Sequence, residues 1–151
     1  ALRVAHDYLK AHDVPMLIYQ GRINLLDREP INEGILDYCQ RQGIGFISFS
    51  PLAQGLLTDR YLHGVPDDSR MARNHFLKKE RLTPELLNYL QRLNATATER
   101  GESLAEMALS WVLHQQGITS VLVGASNPEQ LQKNLRSVHA QPFDENIEAI
   151  V

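Results

Sequence analysis

Two short stretches carry the residue types and spacings needed to grip an anion. The first is Ser50-Pro51-Leu52-Ala53-Gln54-Gly55-Leu56-Leu57-Thr58-Asp59-Arg60-Tyr61. Ser50 and the proline turn direct the following backbone N–H groups toward one point, and Gly55 lets a ligand approach closely. Arg60 adds a fixed positive charge whose planar fork of donors suits phosphate oxygens. The second stretch is Gly124-Ala125-Ser126-Asn127-Pro128-Glu129-Gln130, followed by Asn134. Here a strand feeds directly into a helix N-terminus, where unpaired N–H groups and the helix dipole favour negative charge. Ser126 adds a hydroxyl donor, and Gln130 and Asn134, four apart, share a helix face. Each stretch also has an ordinary explanation: a strand-to-helix turn with a surface arginine, and a plain N-cap. At the ends of neighbouring strands the two would form a combined phosphate site that neither forms alone.

Other reactive residues give less. The six histidines, His6, His12, His63, His75, His114 and His139, show no HExxH or other metal spacing, so no metal site is predicted. Cys39 lies on an apolar stripe and reads as a small buried hydrophobe. Gly45-Phe46-Ile47-Ser48 is not a Gly-x-Ser-x-Gly elbow, which leaves serine hydrolysis without a foothold. Trp111, beside Met107 and Ala108, reads as core. The charged cluster from Arg70 to Arg81 reads as a solvated loop, with an anion patch as the alternative.

The elements that must hold these residues follow from periodicity. Met16-Leu17-Ile18-Tyr19, Gly45-Phe46-Ile47-Ser48-Phe49 and Ser120-Val121-Leu122-Val123 are short apolar runs that predict strands. They lack the alternation of half-solvated strands, which predicts a parallel sheet covered on both faces. Leu2, Ala5 and Leu9 form a weak helical stripe before Pro15. Ile31, Ile35, Leu36 and Cys39 repeat at helical spacing up to a stop at Gly43. Thr83-Pro84-Glu85 opens a helix that turns Leu86, Leu90, Leu93 and Ala97 inward and runs to about Arg100. Ser103-x-x-Glu106 is a capping box ahead of Leu104, Met107, Ala108, Trp111 and Val112. Gly117 ends that helix, and Asn127-Pro128 opens another with Leu131 and Leu135 inward.

The order α-β-α-β-loop-α-α-β-α predicts βα units joined by crossovers. Residues 50–82 have no clean period, and a loop that long is usually functional or disordered. Three parallel strands cannot close a barrel, and a (β/α)8 barrel needs about 250 residues. The chain also opens inside a helical pattern, with no preceding strand or initiator methionine. A half-barrel spanning residues 1–151 is the preferred reading over an unusual small α/β domain.

Composition narrows the function classes. A formal charge of −3 over 151 residues lacks the clustered basic excess of a nucleic-acid binder. No apolar run approaches the roughly 20 residues of a membrane helix. One cysteine excludes an intramolecular disulfide and a cysteine zinc cluster. The first ten residues match neither a signal peptide nor a transit peptide. A soluble, cytoplasmic chain is expected.

The pair Phe49-Ser50-Pro51-Leu52-Ala53-Gln54-Gly55 and Gly124-Ala125-Ser126-Asn127-Pro128-Glu129-Gln130-Leu131-x-x-Asn134 resembles the aldo-keto reductases, with Gln20 and Asn24 fitting the same pattern. The branch most resembled holds bacterial L-glyceraldehyde 3-phosphate reductases and voltage-gated potassium channel beta subunits. The resemblance covers essentially the whole chain. It implies the C-terminal half of a (β/α)8 TIM barrel, from the helix after strand five through the helix after strand eight.

What the resemblance implies for single residues is specific. Gln20 matches the residue that hydrogen-bonds the nicotinamide carboxamide, and Phe49 the aromatic that stacks on the nicotinamide ring. Ser50, Pro51, Leu52, Ala53 and Gln54 match the turn around the pyrophosphate. Arg60 matches a basic residue at the phosphates, and Arg70 an arginine near the cofactor. Gly124 and Ser126 match the adenosine 2′-phosphate site, and Gln130 and Asn134 match contacts to the adenine. The implied cofactor is NADP(H) and the implied partner a small carbonyl substrate. The branch forms tetramers or larger rings, which implies a homo-oligomer. Nucleic acid and membrane insertion are not implied.

Departures are visible. Asn127 stands where many relatives have a basic residue, as it does in the channel subunits; Ile23 replaces a tyrosine, and Asp68 an aromatic. The family's catalytic aspartate, tyrosine, lysine and histidine belong to the first four strand ends, and no position within residues 1–151 matches them. No catalytic residue is assigned to the chain. The resemblance implies an NADPH-dependent reductase of small aldehydes or ketones, of which this segment alone would be inactive. The alternatives are an NADP(H)-binding regulatory or channel-associated subunit and a truncated, non-catalytic remnant.

Overall fold

The computed structural model describes residues 1–67, 69, 71–72 and 78–143. Arg70, with Asp68 and His75, lies outside the described residues. Three strands, β1 (Ile18–Arg22), β2 (Gly45–Phe49) and β3 (Ile118–Val121), form one parallel sheet in the order β1-β2-β3. The helices are α1 (Leu2–Ala11), α2 (Glu29–Asn32), α3 (Ile35–Arg41), α4 (Pro84–Glu99), α5 (Leu104–Leu113) and α6 (Pro128–Arg136). The predicted α-β-α-β-loop-α-α-β-α order is present except that two helices, not one, lie between β1 and β2.

Strand limits follow backbone pairing rather than apolar content. β1 starts two residues later than its apolar run, because Ile18 to Arg22 lie opposite Gly45 to Phe49. β3 starts two residues earlier than its run. Its register against β2 skips Thr119, whose Oγ1 accepts from the Phe46 N–H at 3.1 Å where a ladder bond is missing.

The expected cover on both sheet faces is not what forms. Phe46, Ser48 and Gly21 are buried on the helix side, while Ile18, Gln20 and Arg22 alternate outward. Ile18 is 54% exposed, and Leu122, just past β3, is 47% exposed. The strands therefore alternate as half-solvated strands do, one face against the core and one open.

The helix starts behave as their local chemistry dictates. Thr83 accepts from the Leu86 N–H, Ser103 and Glu106 form a reciprocal capping box, and Asn127 accepts from the Gln130 N–H. Leu90, Leu93 and Ala97 of α4 are fully buried, with Leu86 packed at the edge. The stripe from Ile31 to Cys39 is split into α2 and α3, because Gly34 takes a left-handed φ of 68° between them. Cys39 is fully buried, and that burial pushes its thiol up, away from reactivity.

Two helices depart from their expected inward faces. α1 buries no residue; Ala5 is exposed, and the helix is held by Leu2, by His6 Nδ1 to Tyr38 Oη at 2.8 Å, and by Arg3 over the Tyr38 ring. In α6, Leu131 and Leu135 are 42% and 56% exposed, and Asn134 is buried instead. Helical spacing marks an apolar face correctly but does not supply a surface to cover it.

Residues 50–62 contribute directly to the core despite their lack of period. Leu56, Leu57, Tyr61 and Leu62 are buried among Leu90, Leu93 and Leu104, and Met71 joins them. Tight turns at Ala53–Gly55 and Asp59–Tyr61 bring them inward, and turns carry no helix or strand repeat. Trp111 is core, as expected, with the Arg28 guanidinium 4.7 Å from its ring.

Candidate functional site

Both anion-gripping stretches leave the sheet at its C-terminal edge. Ser50 follows β2 immediately, and Gly124 follows three residues after β3. The Leu122 N–H donates to the Ser48 carbonyl at 2.8 Å, so the two exits run side by side.

The Ser50 turn is strained. Ser50, Ala53 and Gln54 have φ of 52°, 46° and 61°, and Gly55 has 100°. Among the described residues only one other non-glycine, Asp13, has a positive φ. Non-glycine residues held there cost about 1–3 kcal/mol each, and such strain clusters at ligand clamps. Closure is internal: Ala53 N–H donates to Ser50 C=O at 3.0 Å and Gly55 N–H to Leu52 C=O at 2.8 Å. Thr58 Oγ1 then donates to Gly55 C=O at 2.7 Å and caps the next turn through the Arg60 N–H.

The two turns enclose one cleft of about 280 Å³. Ser50, Pro51, Leu52, Gln54, Arg60, Gly124, Ser126 and Gln130 all line it. Among the described residues on that lining, Arg60 is the charged one. At the α6 end, Gln130 Oε1 accepts from the Ser126 N–H at 2.8 Å, and Asn127 Oδ1 accepts from the Gln130 N–H at 2.8 Å. A neutral amide oxygen thus occupies the Ser126 donor, and a charged oxygen is the stronger acceptor for it.

Gln20 and Phe49 line a different hollow of about 850 Å³, bounded by β1, the loop after it, the start of α1 and the α2–α3 segment, with Asp27, Glu29 and Glu33 on its wall. Phe49 and Ser50, consecutive in the chain, thus line different hollows. Ala53 is turned into the core, 5% exposed, and does not line the cleft. Asn134 lies one helical turn below Gln130 and is also buried; its Nδ2 is the one buried side-chain nitrogen or oxygen among the described residues without a hydrogen-bond partner. Among the described residues no group of three His, Cys, Asp or Glu could hold a metal.

Sequence reasoning did not single out Tyr61, Thr58, Leu122 or Val123 as walls of the cleft. Gly55 and Tyr61 both line the cleft, and a Cβ at Gly55 would come 3.6 Å from the Tyr61 ring. A phosphate-bearing ligand fits this donor set of two serine hydroxyls, one guanidinium and a helix N-terminus, while Asn134, like Ala53, is not on the cleft lining.

Comparison with known proteins assigns the chain to a family. Residues 2–151 match the Aldo/keto reductase family. The chain is 48% identical over 134 residues to L-glyceraldehyde 3-phosphate reductase of Escherichia coli O157:H7, covering 86% of this chain and 39% of that protein. It is 46% identical over 141 residues to the L-glyceraldehyde 3-phosphate reductase of Escherichia coli strain K12, covering 91% and 41%. A probable voltage-gated potassium channel subunit beta of Arabidopsis thaliana is 32% identical over 130 residues, covering 84% and 40%. The chain spans about two fifths of the length of these relatives. A crystal structure of the thermostable aldo-keto reductase Tm1743 with the inhibitor epalrestat superposes with a TM-score of 0.69 at 20% identity, covering 98% of this chain and 43% of that one.

Proposed function

The chain belongs to the aldo/keto reductase family, and from that premise we propose that it is the C-terminal half of a barrel enzyme reducing small aldehydes or ketones with NADPH. The observation that carries this reading is the shared cleft: Ser50, Ser126 and the Arg60 cation line one space. The open sheet face supports the half-barrel, because a closed barrel would cover Ile18 and Leu122.

In this reading NADPH, when bound, supplies the hydride. The Ser50 turn and Arg60 hold the pyrophosphate, Ser126 and the α6 N-terminus hold the 2′-phosphate, and Gln130 leaves the Ser126 N–H to meet the adenine. The Phe49–Ser50 junction lets the ligand continue into the second hollow, where Phe49 backs the nicotinamide ring and Gln20 bonds its carboxamide. Proton donation falls to residues outside this chain. The carbonyl substrate is a small one of the kind named for the bacterial relatives, a sugar-phosphate aldehyde.

Arg60→Ala in the complete protein is expected to weaken NADPH binding by about 1.5–3 kcal/mol, the worth of a charged hydrogen bond. Titration followed by NADPH fluorescence measures it, and an unchanged Kd would remove Arg60 from the site. The similarity to a channel subunit favours a second reading, a sensor that binds NADP(H) without turnover. Reduction of 4-nitrobenzaldehyde or methylglyoxal by the complete protein separates the two. The intact mass of the purified protein tests the half-barrel: about twice 17.1 kDa supports it, and 17.1 kDa supports a truncated remnant.

A further inference from the structure

Asn24, just past β1, is fully buried with all four of its hydrogen-bonding positions used. Its Oδ1 accepts from the Leu26 and Asp27 N–H groups, each at 2.9 Å, and its Nδ2 donates to Asp27 Oδ2 at 3.1 Å. Those three bonds are local and build an Asx-type turn. The fourth is not local. Nδ2 also donates to the Ser50 carbonyl at 3.0 Å, from the loop after one strand to the turn after the next.

That carbonyl opens the strained turn. It also accepts from the Ala53 N–H, so both of its lone pairs are taken, and Ser50 itself sits at a φ of 52°. Rotating the Ser50–Pro51 peptide would break both bonds and displace the Ser50, Pro51 and Leu52 segment that lines the cleft. Asp27, which receives the other Nδ2 hydrogen, lies 3.9 Å from Arg22 Nε and 3.8 Å from an Arg81 nitrogen. The amide therefore has one orientation that satisfies all of its neighbours.

We infer that Asn24 is a positioning residue for the phosphates of the dinucleotide, acting through the Ser50 carbonyl; this rests on the reading of the cleft as an NADPH site. It touches no ligand atom itself. It fixes the backbone that does, and so lowers the cost of ordering the turn when the ligand arrives.

A neighbouring bond supplies the control. Ser48 Oγ donates to the Ile23 carbonyl at 2.9 Å, also fully buried, and ties the same two segments together without touching the turn. In the complete protein, Asn24→Ser keeps a hydroxyl acceptor for the local turn and is too short to reach Ser50. It is expected to raise the Kd and the KM for NADPH about tenfold, with kcat at saturating NADPH close to that of the unmodified protein. Ser48→Ala is expected to lower the Tm while leaving the Kd within about twofold. An Asn24→Ser Kd shift no larger than that of Ser48→Ala overturns the positioning role alone. Absence of NADPH binding by the unmodified protein overturns the parent reading and this role with it. Should Asn24→Ser fold too poorly to titrate, the same titration is run on both variants in trimethylamine N-oxide, which favours the folded state, with the same two outcomes.

Discussion

Replacing Phe46 with alanine is expected to destabilise the fold by about 3–5 kcal/mol, the range for emptying a buried aromatic position. Phe46 is fully buried at the second position of the central strand β2. Its ring lies where a side chain at position 21 would be: a Cβ built on Gly21 would come 2.5 Å from Phe46 Cζ. The Tyr19 ring packs against it with centroids 5.4 Å apart. Removing the ring therefore leaves a void between β1 and β2 that Gly21 has no atoms to fill. The backbone N–H from which Thr119 Oγ1 accepts at the β3 irregularity is kept by alanine, so the loss reads the ring alone. Urea unfolding with an unchanged m-value measures the loss. A cost below about 1 kcal/mol would mean that the two strands collapse together, and that Gly21 is not there for this ring.

The parts of the molecule that were legible in the sequence are those decided within a few residues. Thr83, Ser103 with Glu106, and Asn127 cap their helices because each side chain reaches an N–H three residues on, whatever lies beyond. The two turns that line the cleft were legible for the same reason: serine, proline and glycine impose their own backbone geometry. What failed depends on distant surfaces. Leu131 and Leu135 mark the apolar face of α6, yet nothing in their own helix says whether another element covers it. The strand runs looked covered on both faces because apolar content records what a face can tolerate, not which neighbour it has. Gly34 divided a continuous stripe, since the spacing of Ile31, Ile35 and Cys39 is blind to a single left-handed residue. Asn24 was visible as part of a motif, but its bond to Ser50 exists only once β1 and β2 pair in their particular register. The distinction between Phe49 and Ala53, one lining a hollow and one facing the core, likewise comes from the strained turn between them.

Arg100→Met is expected to cost about 3–5 kcal/mol, the range for stranding one partner of a buried ion pair. The side chains of Arg100 and Glu102 are only 8% and 12% exposed, and they pair in a fork: Nε to Oε2 at 3.2 Å and Nη2 to Oε1 at 3.1 Å. The same guanidinium donates to the Gln141 carbonyl at 2.6 Å and the Pro142 carbonyl at 3.3 Å, and lies 4.5 Å from the Phe143 ring centroid. Phe143 in turn meets His114, just past α5, edge-on. One side chain at the end of α4 thus fastens residues 141–143, well beyond α6, back onto the core. Lysine keeps the charge but not the fork, so Arg100→Lys should recover only part of the loss. The decisive comparison is with Arg100→Met combined with Glu102→Gln. If the cost comes from a stranded carboxylate, the double variant is more stable than Arg100→Met alone by urea unfolding. If it comes from the released carbonyls of Gln141 and Pro142, the double variant is no better, and faster amide exchange at Phe143 accompanies both.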